Sequence, residues 1–202
     1  MPLIKSFWVL PGLLLGLLLL NGCTSLPSST AKPADSAEKP SAVDSALQRS
    51  YDQALQALRQ GELERAMGAF EELAKENPGL AGPMTNIGII HLKQNRLEAA
   101  EKAFQDALTR NPESAPAHNQ LGVALRLQGR FQEAESAYLS ALEQDPAYLL
   151  AHRNLGILYD LYLAQPAKAL EQYRHCQQLS ENDNREFEGW ILDLERRVAK
   201  GN

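Results

Sequence analysis

Histidine and cysteine are the residues of this chain whose types could support metal binding or nucleophilic catalysis. The chain has four histidines and two cysteines, and His118 and His152 occupy the same position of two successive sequence repeats. A tetrahedral metal site would need further cysteine or acidic ligands beside them. The sequence has no paired-cysteine motif, zinc-protease helix, phosphate-binding loop or nucleophile elbow. We therefore predict that the histidines have packing roles. We also predict that the protein has no catalytic residues and binds neither a metal nor a cofactor.

The chemistry that the sequence does predict lies at Cys23. Lys5 gives the chain a positive start, and the apolar run 7–20 is too short for a comfortable membrane span but fits the core of a signal peptide. The run ends in Leu-Asn-Gly-Cys, which resembles the lipobox of bacterial lipoproteins. This resemblance implies a lipidated Cys23 thiol and cleavage after Gly22. An ordinary secretory signal that is cut near a cysteine is the alternative.

The residues after Cys23 have the composition of a tether. Ser, Thr, Ala, Pro and charged residues fill positions 24–46, and only Leu26 and Val43 are sizeable apolar residues. Such a segment cannot bury enough surface to offset its chain entropy, so we predict that residues 23–46 form a lipidated, disordered stalk. Thr24, rather than aspartate, follows the cysteine. By resemblance to Gram-negative sorting, this implies delivery to the outer membrane, facing the periplasm.

The overall composition indicates an acidic, helical protein. The formal net charge is −5, so the chain lacks the basic footprint of a nucleic-acid-binding protein. Ala and Leu dominate the 44% of hydrophobic residues, whereas strand-forming Val, Ile and Thr are sparse. We therefore predict an all-α fold and no nucleic-acid partner.

A sequence repeat with a constant period organises the chain from about Leu47 onward. Each unit has the pattern of two helices that are divided by a polar turn, and an Asn-Pro or Asp-Pro pair ends the second helix in the first three units. Helices that cross closely need small residues, so we expect the repeated glycines to face the repeated alanines and the aromatic ring to fill the space between successive hairpins. The repeated residues are Ala66, Ala100 and Ala134; Phe70, Phe104 and Tyr138; Pro78, Pro112 and Pro146; and Gly88, Gly122 and Gly156.

These residues resemble the signature of the tetratricopeptide repeat. The resemblance implies four helix hairpins in a right-handed superhelix, over residues 47–80, 81–114, 115–148 and 149–182. In the fourth unit the aromatic residue, Tyr173, comes one residue late, which predicts an extra residue in the turn 161–165 and Pro166 at the start of the second helix. Residues 183–202 carry an apolar stripe that includes Trp190, so we predict a single helix that caps the last hairpin.

In this family the first helix of each unit lines a concave surface, so the resemblance implies a peptide-binding groove. Mapping by register predicts an aliphatic floor with side-chain amides beside it, and amides can bond a peptide backbone as donors or acceptors. The candidate groove residues are Tyr51, Leu55, Asn86, Ile89, Asn119, Gln120, Val123, Arg153, Asn154 and Ile157. The positions of the carboxylate clamp of chaperone-binding members hold no cation here. Arg153, with Arg126 on the neighbouring helix, is the one candidate basic spot.

A lipobox followed by such an array is similar to two kinds of bacterial protein. These are the type IV pilus lipoprotein that helps its secretin assemble and the lipoprotein scaffold of cell-wall hydrolases. The similarity implies a noncatalytic adaptor that is anchored to the membrane by lipid and binds a protein partner of the envelope. An accessory subunit of a TonB-type or gliding-type energised complex and a self-associating structural lipoprotein are the alternatives.

Overall fold

The computed structural model describes residues 42–180 and 185–201, which form nine α-helices and no strand. The predicted signal peptide, Cys23 and the tether up to residue 41 lie outside the described residues. The helices are α1 Ala42–Gln60, α2 Leu63–Glu76, α3 Ala81–Lys93, α4 Leu97–Arg110, α5 Ala115–Leu127, α6 Phe131–Gln144, α7 Leu149–Leu161, α8 Pro166–Leu179 and α9 Arg185–Lys200.

The helices pack as successive hairpins. α1 packs against α2, α3 against α4, α5 against α6 and α7 against α8, and each second helix also contacts the first helix of the next hairpin. α3 contacts α5 and α5 contacts α7, so the first helices lie side by side along the array. Among the described residues, no helix combines the length and apolar character that crossing a bilayer requires.

The first helix is longer than the repeat register predicts. α1 begins at Ala42 rather than near Leu47, so residues 42–46 are helical and do not belong to the tether. The physical reason is local. Ala42 and Ala46 favour helix, the Arg49 guanidinium donates to the Ser45 carbonyl at 3.0 Å, and Leu47 packs against the first hydrophobic cluster.

Each hairpin from the second onward is held by an aromatic side chain that lies against a glycine. Tyr138 is fully buried, and a Cβ atom added to Gly122 would lie 2.6 Å from its Cε1 atom. Gly88 meets Phe104 and Gly156 meets Tyr173 in the same way. The closest neighbour of each glycine is therefore the ring of its own hairpin rather than an alanine. The ring lies within its own hairpin, against the glycine of the first helix. Glycine is needed at that position because any side chain there would occupy the space of the ring.

The fourth hairpin accommodates its extra residue where the sequence predicted. Ala164 has a φ of 51°, a left-handed conformation that lets the chain turn between α7 and α8. α8 then begins at Pro166, a first-turn position where proline is tolerated because its missing N–H group would be unpaired in any case.

The last helix covers the end of the array. The Trp190 ring lies 4.8 Å from the Tyr173 ring and 5.7 Å from the Phe187 ring. Phe187, Ile191 and Leu194 are buried in the cluster that α7 and α8 form. α9 therefore packs on α8 as the first helix of a further unit would, and no second helix follows it among the described residues.

Candidate peptide-binding groove

The first helices of the four hairpins present a row of aliphatic side chains. Leu55, Ile89, Val123 and Ile157 come from α1, α3, α5 and α7, and each is half-buried. Their inner atoms pack against the hydrophobic clusters, and their outer atoms remain accessible. This row, which we call the groove floor, places one accessible aliphatic side chain on the first helix of each of the four repeats.

The amide of Asn86 is used inside the protein. Its Nδ2 atom donates to the Tyr51 hydroxyl at 2.7 Å and to the Gly82 carbonyl at 3.0 Å. Asn86 is buried, and burial raises the pKa of Tyr51 above its usual value. The two side chains therefore join α3 to α1, and Asn86 has little surface left for a partner.

A second amide pair joins the next helices. Asn154 on α7 donates from Nδ2 to Oδ1 of Asn119 on α5 at 2.9 Å. Asn119 is 1% exposed, so it cannot contact a bound peptide directly. Asn119 and Asn154 therefore fix the spacing of α5 and α7. Gln120 is half-buried, like Asn154, but it differs from both residues because its side chain has no hydrogen bond to any described residue.

The charges at the C-terminal end of the groove are paired by α9. Arg153 lies 3.4 Å from the Glu186 carboxylate, and Asp160 lies 2.6 Å from the Arg197 guanidinium. The predicted basic spot is thus reduced to Arg126, which donates to the Tyr162 hydroxyl at 3.1 Å. Sequence reasoning missed these ion pairs because the periodicity of α9 does not tell which residues of α7 its polar side chains reach.

The histidines that share a repeat position make matching contacts. The Nε2 atoms of His118 and His152 lie 2.7 Å and 3.0 Å from the carbonyl oxygens of Pro112 and Pro146, respectively. The Nδ1 atom of His152 also lies 2.8 Å from the Oε1 atom of Gln172. These contacts bind the start of α5 and α7 to the turn before it. Within the described residues, no group of His, Cys, Asp and Glu side chains could hold a metal ion.

Cys176 has the environment of a packing residue rather than of a nucleophile. It is fully buried on α8, and burial raises the pKa of its thiol to about 12. A thiol with that pKa is protonated at neutral pH, and the thiolate is the reactive form.

Sequence comparison identifies the repeats. Models of the tetratricopeptide repeat family match residues 50–79 and 85–148. A search of the curated proteins found no match.

Solved structures with the same fold come from several proteins. PilF of Pseudomonas aeruginosa is 23% identical with a TM-score of 0.69, over 78% of this chain and 71% of PilF. The TTC0263 protein of Thermus thermophilus is 23% identical with a TM-score of 0.62, over 75% of this chain and 82% of that one. The first repeat domain of RPAP3, solved with an HSP90 peptide, is 18% identical with a TM-score of 0.55, over 59% of this chain and 95% of that one. At these identities the likeness establishes the fold of the helix hairpins.

Proposed function

Because this chain is a tetratricopeptide-repeat protein, we propose that it is a noncatalytic adaptor of the bacterial envelope that binds a peptide segment of a protein partner in its groove. The observation that carries the proposal is the groove floor, an accessible aliphatic row that runs across four consecutive repeats. Peptide recognition by repeated helices uses such a surface for side chains and nearby polar groups for the backbone.

Two features support a binding role over a purely structural one. Gln120 keeps its amide free beside the floor, although the neighbouring Asn86 and Asn119 are engaged within the protein. A free amide offers both a donor and an acceptor to an extended backbone. The peptide-bound structure of RPAP3 illustrates that this fold accommodates a peptide.

We propose that the protein works at the periplasmic face of the outer membrane. The support is the N-terminal sequence, in which a signal-like segment leads to Cys23 and then to a stalk rich in Ser, Pro and Ala. A random coil with the composition of residues 24–41 would hold the repeats about 25 Å from the bilayer on average. The proposed task is to hold a subunit of an envelope machine, such as a pilus or secretion apparatus or a cell-wall hydrolase, near that membrane.

Site-specific photo-crosslinking in cells tests the groove. A benzoylphenylalanine at position 120 is expected to crosslink to one envelope protein, whereas the same group at position 139 is not. Leu139 is a suitable control because it lies on α6 of the same hairpin and is 47% exposed. A secretin subunit or a hydrolase in the crosslinked band would name the process. Equal bands from both positions, or none from position 120, would contradict the proposal.

Substitution of the groove asparagines would disturb folding as well as binding, because their amides are bonded to neighbouring helices. Asn154→Ala would leave Oδ1 of the buried Asn119 without its donor, which costs about 1–3 kcal/mol of stability. Loss of partner binding in that variant would therefore mix a folding defect with a binding defect.

The anchor has a separate test. Cys23→Ala is expected to accumulate as an uncleaved precursor without palmitate label, because lipid transfer to the thiol precedes cleavage by the lipoprotein signal peptidase. Metabolic labelling with palmitate and the electrophoretic mobility of the protein measure both effects, with Cys176→Ala as the control that keeps the anchor. Normal cleavage and labelling of the Cys23→Ala variant would refute the lipid anchor and leave the groove proposal intact.

A further inference from the structure

The groove changes character along its length at the ends of the first helices. Arg59, Lys93, Leu127 and Leu161 recur with the period of the repeat and lie at or next to the last residue of α1, α3, α5 and α7. All four are exposed, and we call them the end row. Two cations therefore occupy the row in the first two repeats, and two leucines occupy it in the last two.

The end row belongs to the same surface as the groove floor. Each of its members follows a floor residue by four positions, as Leu127 follows Val123 and Leu161 follows Ile157. Residues four apart lie above one another on one face of a helix. The row therefore extends the floor by one helical turn, and a peptide on the floor would lie beside it.

The C-terminal half of this surface is apolar. Leu127 is 49% exposed and Leu161 is 70% exposed, which is high for large aliphatic side chains. Tyr162, beside Leu161, is also exposed, and its ring packs 4.9 Å from the Phe131 ring. The Arg126 guanidinium lies 5.4 Å from the centre of the Tyr162 ring, so this contact joins the end of α5 to the end of α7. Clustered exposed apolar side chains of this kind mark interaction surfaces.

The charged residues of α7 near this apolar half form ion pairs with residues of α9. α9 places Arg197 against Asp160 and Glu186 against Arg153, so the two residues of the array that these ion pairs involve both lie on α7. Arg126 is the remaining arginine of α5 and α7 at this end, and Tyr162 accepts a hydrogen bond from it. A ligand side chain that enters here thus meets carbon, two ion pairs and an Arg126 guanidinium that lies over the Tyr162 ring, which favours a large apolar or aromatic group.

The N-terminal half has the opposite character. Among the described residues, neither Arg59 nor Lys93 has an ion pair or a hydrogen bond from its side chain. The chain as a whole is acidic, with a formal net charge of −5, so two unpaired cations in one row do not follow from a basic composition. A carboxylate of a ligand would complement them at the surface of the groove.

We infer that the groove binds a bipartite peptide segment, with acidic residues against Arg59 and Lys93 and large apolar residues against Leu127, Leu161 and Tyr162. The inference rests on the proposed function and specifies the partner chemistry of the same groove.

Selection from a library of displayed random peptides, long enough to cross all four repeats, tests the inference. The target is residues 40–202, which form one compact unit with its own hydrophobic clusters. Enriched peptides are expected to carry Asp and Glu at one end and Leu, Ile, Phe or Trp at the other. Enriched peptides without this segregation would overturn the inference while leaving the groove as a peptide-binding site. No enrichment above a blank surface would overturn both proposals.

Variants then assign the two halves of the peptide by fluorescence anisotropy with the most enriched labelled peptide. Leu127→Lys with Leu161→Lys is expected to weaken binding at least tenfold, whereas Leu139→Lys, at a similarly exposed leucine on α6, leaves it unchanged. Arg59→Glu with Lys93→Glu is expected to weaken binding of the acidic peptide. The same variant is expected to strengthen binding of an analogue in which lysines replace the acidic residues.

Two outcomes of these measurements would overturn the inference. One is an equal loss of peptide binding in the Leu139→Lys control. The other comes from sedimentation with vesicles of phosphatidylcholine and phosphatidylglycerol. If the wild type sediments with the vesicles, and the end-row variants still bind the peptide but no longer sediment, the end row is a membrane contact.

Discussion

Gly122→Ala is expected to lower the free energy of unfolding by about 1–3 kcal/mol, and Gly122→Leu by more, because both overfill the third hairpin. A Cβ atom at position 122 would lie 2.6 Å from Cε1 and 2.7 Å from Cδ1 of Tyr138. Tyr138 is fully buried between α5 and α6, so its ring has no free space into which to move. The helices must then separate, and the contacts that join the third repeat to its neighbours weaken with them.

A second glycine provides the control for this variant. Gly68 is exposed in the middle of α2, and a Cβ atom there would meet no atom within 4 Å. Gly68→Ala is therefore expected to raise stability by about 0.5–1 kcal/mol, because alanine loses less backbone entropy than glycine when the helix forms. Denaturant unfolding followed by circular dichroism at the helical band measures both variants. Equal shifts for the two glycines would show that the contact between Gly122 and Tyr138 is not tight.

Leu194→Ala is expected to cost about 2–5 kcal/mol and to release α9 from the array, because the side chain is 1% exposed and its loss leaves a cavity. Trp190 reports the release directly. Its ring lies against Tyr173 and Phe187, and it is the one tryptophan of residues 23–202. A red shift of the tryptophan emission at lower denaturant concentration than in the wild type would follow from exposure of that ring to water.

Leu192 is the matched control on the same helix. It is 50% exposed, so Leu192→Ala removes the same atoms from the same helix but leaves no cavity. Its effect is expected to stay within about 0.5 kcal/mol. If both variants left the unfolding of α9 unchanged, the packing of this helix would contribute little to the stability of the array.

Release of α9 also bears on the groove. Arg153 and Asp160 would lose Glu186 and Arg197 together, which leaves an unpaired cation and an unpaired anion at the end of the groove floor. The capping helix therefore shapes the electrostatics of the groove as well as covering the apolar end of the last hairpin. A repeat array without this helix would present a more polar surface to a ligand at its C-terminal half.

Features that depend on residues close in sequence were predictable without coordinates. The start of α8 at Pro166 follows from the dihedral angle of proline and from a one-residue delay of Tyr173 in the repeat. The ends of α2, α4 and α6 follow from the proline two residues beyond each helix, which restricts the residue before it. The family resemblance then supplied the order in which the hairpins stack.

Features that depend on side chains from different repeats were not predictable in the same way. The sequence placed Asn86, Asn119 and Asn154 along one surface, but their spacing could not tell whether an amide points to a ligand or to its neighbour. The separation of the first helices decides this, because it brings Asn154 within 2.9 Å of Asn119 and Asn86 within 2.7 Å of the Tyr51 hydroxyl. The position of the aromatic rings against the glycines has the same origin, since it depends on how closely two helices approach.

The all-α repeat architecture and the ends of α2, α4 and α6 follow from the sequence, because they depend on a local period and on the backbone of proline. The resemblance to the repeat family then assigned the aliphatic row to a groove. Which amides are free and which charges are paired depends instead on how the helices are placed in three dimensions. Those outcomes depend on short distances between side chains that lie a whole repeat apart in sequence, and the relative placement of the helices sets these distances.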